Sequence, residues 1–233
     1  MAFYSDKHGI FTVGAALNAG TGSVRGQGTG DGTKSEVDYW GLNLYGAWAT
    51  SWVDLIGTVG YLTSDNDISH GGFSADTDVD AYTVALRAQR TFPLNEAFSV
   101  TPHIGVRWNH IEVDSFTAGG FTYESDDVDL VQVSIGVAFS GNTTMVTFDV
   151  KLYLDLEVAP TFGDKDTDNR VGLEASALED VIDTRIASSV VWTARMGLEA
   201  TSGAHSIGLR YGVSAGNGDR VDQRLTAGYK FSF

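Results

Sequence analysis

The sequence predicts an all-β fold, a transmembrane antiparallel up-and-down β-barrel with about ten visible strands. Three observations predict this fold class. Apolar and polar residues alternate strictly in one segment after another, the connections between the segments are alternately short and long, and aromatic residues lie near the segment ends. Each feature is typical of a barrel whose strands cross a bilayer with one face toward lipid and the other toward water.

The composition agrees with one domain of many strands and turns, covering residues 1–233. Glycine is abundant at 28 residues, proline is rare at 3, and 11% of residues are aromatic. The formal net charge of −15 would repel phosphate backbones, so nucleic acid is not expected as a partner. Cysteine is absent, which excludes disulfide bonds and thiolate metal sites.

Hydropathy alone does not decide between a soluble and a membrane-embedded β protein. No apolar run approaches the ~20 residues that a membrane-spanning helix requires. A barrel strand exposes only alternate residues to lipid, so a mean hydropathy near zero, here −0.06, fits both cases. The first nine residues do not form a secretory signal, so the signal of an exported protein would lie upstream in a longer precursor.

The first six alternating segments have the length of tilted membrane strands. They are Phe11–Leu17, Trp40–Trp48, Val53–Tyr61, Tyr82–Ala88, Val100–Trp108 and Val131–Phe139. The seventh segment, Val146–Val158, is the most informative, because apolar residues fill its even positions and four of its odd positions are charged. A soluble sandwich strand with one wet face could show the same pattern, so the whole series carries the prediction.

Three further segments complete the series. In Val190–Leu198 and Ser206–Ser214, large apolar residues alternate with Gly, Thr, Arg and other small or polar residues. In Leu225–Phe233 one face is Leu, Ala, Tyr, Phe and Phe, and the other is Thr, Gly, Lys and Ser. The chain thus ends on the last residue of a predicted membrane strand.

The connections form two sets of different length, as they do in outer-membrane barrels. The short set is Ala49–Ser51, Thr91–Ala97, Gly141–Thr143 and Thr201–His205. The long set is rich in Gly, Ser, Asp and Thr and comprises Ala19–Val37, Thr63–Thr77, Ser115–Asp126 and Pro160–Thr184. Counting back from Phe233 predicts that the long set lies outside the cell and that both chain ends lie in the periplasm.

Aromatic residues near the predicted strand ends fit the girdles that lie at the boundary between lipid and water. They are Trp40, Trp48, Trp52, Tyr61, Trp108, Tyr211, Phe231 and Phe233. In a soluble sandwich the same residues would be core aromatics.

From about Gly9 to Phe233 the sequence resembles the C-terminal translocator barrel of type V secretion autotransporters. The stretches that carry the resemblance are Tyr39–Gly46, Val100–Arg107, Val133–Phe139 and Val158–Asp164. The end of the chain also resembles the assembly signal of outer-membrane proteins, in which a polar residue and a glycine precede spaced apolar residues and a terminal aromatic. These positions are Thr226, Gly228, Phe231 and Phe233.

The resemblance implies an outer-membrane translocator in a Gram-negative bacterium, which anchors an N-terminal passenger domain and helps to export it to the cell surface. It implies the barrel-assembly machinery, lipid, lipopolysaccharide and an upstream passenger as partners, a monomeric state, no cofactor and no enzymatic activity. Family barrels have twelve strands and a helix inside the lumen, whereas ten strands are visible here. We therefore expect N-terminal strands to be missing, although ten is an allowed number for a complete barrel.

The charged residues on the predicted inner faces are expected to line a hydrated lumen, because an Arg or Lys near the bilayer midplane would cost ~2–4 kcal/mol on the lipid face. There they would pair with one another, with a helix plug or with a polar chain during secretion. These residues are Arg87, Arg107, Asp149, Lys151, Asp155, Glu157, Arg195, Glu199, Arg210 and Lys230.

The alternative is a small barrel that stands alone, such as a pore, an adhesin or a protease resembling the omptins. The acidic pair Asp76 and Asp78 fits the last class in part, but no Asp-x-His sequence follows it in the chain. Asp164, Asp166 and Asp168 resemble the start of a calcium loop, yet the required Gly and Glu are replaced by Asn169 and Ala175. No catalytic, cofactor or metal residue is therefore assigned. The amphipathic stretch 177–187 is compatible with a short helix.

Overall fold

The computed structural model describes residues 2–6, 9–26, 32–145, 147–173, 176, 178–217 and 221–231. Its regular elements in these residues are all strands. In chain order they are β1 (Ala2–Asp6), β2 (Gly9–Arg25), β3 (Thr33–Ala49), β4 (Asp54–His70), β5 (Phe73–Gln89), β6 (Phe92–Pro93), β7 (Phe98–Val113), β8 (Phe116–Ala118), β9 (Phe121–Ser125), β10 (Val128–Met145), β11 (Phe148–Gly163), β12 (Asp166–Leu173), β13 (Glu179–Arg185), β14 (Val190–Ser202), β15 (His205–Gly216) and β16 (Val221–Phe231).

Eleven of these strands pair in an antiparallel path that curls around a polar interior. The path runs β1-β2-β3-β4-β5-β7-β10-β11-β14-β15-β16, and the short β6 pairs with β7. Each strand pairs with the next long strand along the chain, which is the up-and-down topology predicted from the sequence. Among the described residues, no pairing joins β1 to β16.

All ten predicted segments correspond to strands, so the predicted fold class is confirmed. Val146 and Phe233, each at the end of a predicted segment, lie outside the described residues. The predicted turn Gly141–Thr143 is wrong, because these residues pair with Leu152, Lys151 and Val150 inside the β10–β11 ladder. The pairing outweighs the turn preference of Gly and Asn.

The long connections are shorter than predicted, because the ladders continue past the last apolar residues. The predicted connection Thr63–Thr77 is for the most part the β4–β5 hairpin, whose ladder extends to the pair His70 and Phe73. The tip is Gly71–Gly72, with φ angles of 57° and 90°. A two-residue hairpin with positive φ at both positions favours glycine, since other residues are strained there.

Parts of two other connections form a separate sheet, in the order β13-β12-β9-β8. The predicted helix over 177–187 is wrong, because β13 covers Glu179–Arg185 and pairs with β12 from Asp166 to Gly172. The Asp126 carboxylate accepts two hydrogen bonds from Arg170 of β12, at 2.6 and 3.2 Å, and raises the pKa of this guanidinium. No described helix has the length and apolarity needed to cross a membrane.

The distribution of side chains is the reverse of that in a soluble protein. Large apolar residues on the outer face are exposed, such as Leu17 at 80%, Leu225 at 71% and Trp192 at 64%. Polar residues on the inner face are buried, including Asp155 and Thr161. This arrangement stabilises a sheet whose outer face contacts lipid and whose inner face is polar.

Candidate functional site

The candidate functional residues lie on the inner face of the sheet. Strand pairing fixes which residues share this face, because side chains alternate between the two faces and the register is set pair by pair. Asp155 lies directly opposite Arg195 on β14, and the pair Leu154 and Met196 one step away points outward. By this alternation the ten charged residues predicted to line the lumen all lie on the inner face.

A cluster of four charged or titratable side chains lies at the middle of β11. Arg195 donates from Nη1 to Asp155 and from Nη2 to Glu157, each at 3.3 Å. His103 of β7 lies on the other side, with Nε2 2.9 Å from Asp155 Oδ1 and Nδ1 3.9 Å from Glu157 Oε2. The His103 side chain is fully buried, and the two carboxylate side chains are only 11% and 14% exposed. The carboxylates are thus held between a guanidinium and an imidazole.

His103 reaches Asp155 across an intervening strand because that strand carries a glycine there. Gly136 of β10 pairs with His103 on one side and with Glu157 on the other. A Cβ at Gly136 would overlap the His103 ring and also lie 2.6 Å from the Leu156 carbonyl oxygen. The glycine therefore provides the space in which the imidazole crosses β10.

Two arginines lie beside this cluster without a described partner. Arg87 of β5 and Arg107 of β7 line one cavity of about 350 Å³ with Gln132, Ser134 and the carboxylate of Glu157. The Arg87 Nε atom is buried and has no hydrogen-bond partner among the described residues. Asp155 and Arg195 line the same cavity, which therefore carries three guanidinium groups and two carboxylates. A buried unpaired donor costs free energy, so the Arg87 Nε atom favours a polar group or water in the cavity.

The remaining predicted residues lie along the inner face at the start of β11 and on β14, β15 and β16. Asp149, Lys151 and Glu199 line a second cavity, of about 600 Å³. Arg210 lines a third of about 670 Å³, together with Tyr153. Glu199, Arg210 and Lys230 line a fourth cavity of about 230 Å³.

Sequence reasoning missed several inner residues, among them His103 and Arg224. His103 lies in a predicted segment, and the period of two would have placed it on the inner face. Arg224 precedes the predicted start of the last strand at Leu225, yet it lies within β16 and lines the 670 Å³ cavity.

The residues of the predicted assembly signal lie on β16 as far as the structure describes it. Thr226 and Gly228 face inward and line the 230 Å³ cavity, whereas Phe231 lies opposite His205 with a ring distance of 5.1 Å. Phe233 lies outside the described residues.

The predicted acidic pair Asp76 and Asp78 does not face the lumen. These residues lie on the outer face of β5, opposite Asp67 and Asp65 of β4. A hydrogen bond between the Asp67 and Asp76 carboxyl groups, together with their like charge, raises the pKa of Asp67. The three aspartates Asp164, Asp166 and Asp168 do not form a calcium loop, because the last two lie in β12.

A row of aromatic rings separates these acidic residues from the apolar part of the outer face. Ring centroids are 5.7 Å apart for Trp40 and Tyr61, 5.2 Å for Tyr61 and Tyr82, and 6.2 Å for Tyr82 and His110. The Tyr61 hydroxyl donates to Asp80 at 2.7 Å, toward the acidic side. Such a row is typical of the boundary between lipid and water.

Comparisons with known proteins agree with this architecture. A family model described as "Autotransporter beta-domain" matches residues 6–214. The crystal structure of the β-domain of the Bordetella autotransporter BrkA is similar, with a TM-score of 0.65 and 16% identity over 99% of this chain and 86% of that chain. The transport unit of the autotransporter AIDA-I from Escherichia coli has a TM-score of 0.71 and 13% identity over 100% of this chain and 79% of that chain. No curated protein sequence matches this chain.

Proposed function

Because the chain belongs to the family of autotransporter β-domains, we propose that it is a translocator barrel that anchors an N-terminal passenger in the outer membrane of a Gram-negative bacterium and helps to export it. The domain comprises residues 1–233, is monomeric and has no enzymatic activity of its own. The family match over residues 6–214 is the observation that carries this proposal.

The polar inner face supports the same function. A polypeptide in transit carries peptide groups and charged side chains, and a lumen lined by polar residues of both signs replaces part of their hydration. The ten inner charged residues supply this lining. Arg87 and Arg107 would contact acidic side chains of the passing chain or of the segment that stays in the lumen.

The outer face supports insertion into lipid. Its exposed Leu, Val, Ile and Phe residues would contact acyl chains, and the aromatic row would lie at the level of the lipopolysaccharide headgroups. We propose that the barrel-assembly machinery recognises the end of the chain through Thr226, Gly228, Phe231 and Phe233.

Surface display of the natural gene product tests the proposal. A short peptide epitope is inserted upstream of residue 1, and antibody binding is measured on intact cells. We expect the epitope on the cell surface in the parent and its loss in Phe233→Ser, in which assembly is impaired. The shift in gel mobility on boiling shows separately whether the barrel has assembled. An assembled barrel without surface epitope, or a reading frame that places a signal peptide directly before Met1, would exclude export of a passenger.

A further inference from the structure

Three possible metal ligands converge where β7 ends and β10 begins. His110 and Glu112 lie two residues apart on the outer face of β7, and Asp127 directly precedes β10. One ligand atom from each of His110, Glu112 and Asp127 lies within 4.8 Å of the other two. An imidazole nitrogen and two carboxylate oxygens at this spacing can bind one ion without a change in backbone pairing.

The orientation of His110 matches that of a metal-binding histidine with a supporting carboxylate. Its Nδ1 atom lies 3.1 Å from Asp129 Oδ1, and the same oxygen accepts a hydrogen bond from Trp108 Nε1 at 2.9 Å. A carboxylate on one ring nitrogen fixes the tautomer that leaves the other nitrogen free to bind a metal. Here that other nitrogen is Nε2, which lies 3.1 Å from Glu112 Oε1. Both ring nitrogens therefore face carboxylates when no metal is bound, and Zn²⁺ would displace a proton from Nε2.

We propose that His110, Glu112 and Asp127 form a zinc site on the extracellular side of the barrel. Zn²⁺ would bind Nε2 of His110 at ~2.0–2.1 Å and one oxygen of each carboxylate at ~2.0–2.2 Å, with water as a further ligand. The ion takes the place of the proton that Nε2 shares with Glu112. The imidazole favours Zn²⁺ over Ca²⁺ and Mg²⁺, which bind oxygen ligands.

The position of the site indicates what the metal does. His110 and Glu112 come before the connection that carries β8 and β9, and Asp127 comes after it. A bound ion therefore joins the two ends of this connection. The neighbouring Asp126 binds Arg170 of β12, so the same junction also contacts the separate sheet. Zinc would hold the connection and this sheet against the barrel.

Calorimetric titration of the full chain in detergent with Zn²⁺, in buffer containing excess Ca²⁺, tests the site. We expect saturable binding of one Zn²⁺ per chain. His110→Gln should weaken binding by at least tenfold, and Asp129→Asn by about 10- to 100-fold through loss of the orienting carboxylate. His70→Gln, an exposed histidine at the end of β4, is the matched control and should bind as the parent does.

Limited proteolysis is a second test, and it does not require a binding constant for Zn²⁺. Zn²⁺ should slow chymotrypsin cleavage at Phe116, Phe121 and Tyr123 in the parent and in His70→Gln, but not in His110→Gln. The mobility shift on boiling shows that every variant is folded. The proposal is wrong if the folded parent binds no Zn²⁺, or if His110→Gln binds it as tightly and is protected to the same extent.

Discussion

At the scale of single residues, the contact between His103 and Asp155 depends on the missing side chain of Gly136. We predict that Gly136→Ala destabilises the barrel by about 1–3 kcal/mol, the usual cost of overpacking, because the new Cβ displaces the imidazole and meets the Leu156 carbonyl. Urea-induced unfolding in detergent measures the change. Gly208→Ala is the control, since its Cβ would lie 3.8 Å from its nearest described neighbour. Equal stability of the two variants would contradict the packing assigned to Gly136.

Arg195 neutralises two carboxylates that are mostly buried. Arg195→Met leaves Asp155 and Glu157 beside each other with only His103 to offset their charge, and we expect a loss of about 1–3 kcal/mol. The cost stays below that of a fully buried pair because the Arg195 side chain is 41% exposed.

A double-mutant cycle isolates this interaction. Asp155→Asn combined with Arg195→Met should cost less than the sum of the two single changes, by at least about 0.5 kcal/mol. Arg210→Met, an inner-face arginine of β15, is the control and should change stability little. Strict additivity for Asp155 and Arg195 would show that their contact contributes nothing to the free energy of unfolding.

The period of two in the sequence is sufficient to place Asp155 and Arg195 on one face, since a strand permits only two directions for a side chain. It does not indicate that these residues are neighbours across β11 and β14, which depends on the register. It also does not show that His103 reaches past Gly136. A contact that reaches past an intervening strand depends on how the sheet curves. No local pattern in a single sequence encodes that curvature.

At the scale of strands, the β4–β5 hairpin carries like charges in register. The pKa of Asp67 is raised by Asp76, so the folded state binds this proton more tightly than the unfolded state. The resulting stability is fully present below the unfolded pKa of ~3.9 and is lost as pH rises through the folded pKa. At pH values above the folded pKa, the charge on Asp67 is repelled by the acidic residue opposite it, which destabilises the hairpin.

We therefore predict that Asp67→Asn raises the thermal midpoint at pH 7 and raises it less at pH 4, where the parent is already protonated in part. Thermal unfolding in detergent at the two pH values measures the difference. Asp54→Asn, at the opposite end of β4, is the control for a general change in charge. A gain of the same size at both pH values would mean that the repulsion between Asp67 and Asp76 is unimportant.

Strand length explains why the ladders extend beyond the predicted ends. A strand of 17 residues, such as β4, is ~56 Å long at ~3.3 Å per residue. Its membrane band is only ~25 Å tall, so even with a tilt of ~40° a large part of the strand extends past the bilayer. In that part the outer face contacts water and becomes polar. The alternation that identifies a strand in the sequence then disappears, while the hydrogen-bonded ladder continues.

At the scale of the whole molecule, the ends of the barrel differ in their connections and in their charge. The end that holds β8, β9, β12 and β13 also holds the acidic outer residues of β4 and β5. The other end has short connections, such as 90–97 between β5 and β7. On the cell surface, divalent cations bridge the phosphates of lipopolysaccharide and can also bind carboxylates beyond the aromatic row. The acidic residues therefore favour an extracellular location for this end of the barrel.

Cysteine labelling tests this orientation without interference, because the chain has no cysteine of its own. Asp180→Cys lies on the exposed strand β13, and Glu96→Cys lies in the exposed connection at the other end. We predict that a membrane-impermeant maleimide labels Asp180→Cys on intact cells. Glu96→Cys should react only after the outer membrane has been permeabilised, since the proposed orientation places its connection in the periplasm. Labelling in the reverse pattern would invert the barrel and place the zinc site and the separate sheet on the periplasmic side.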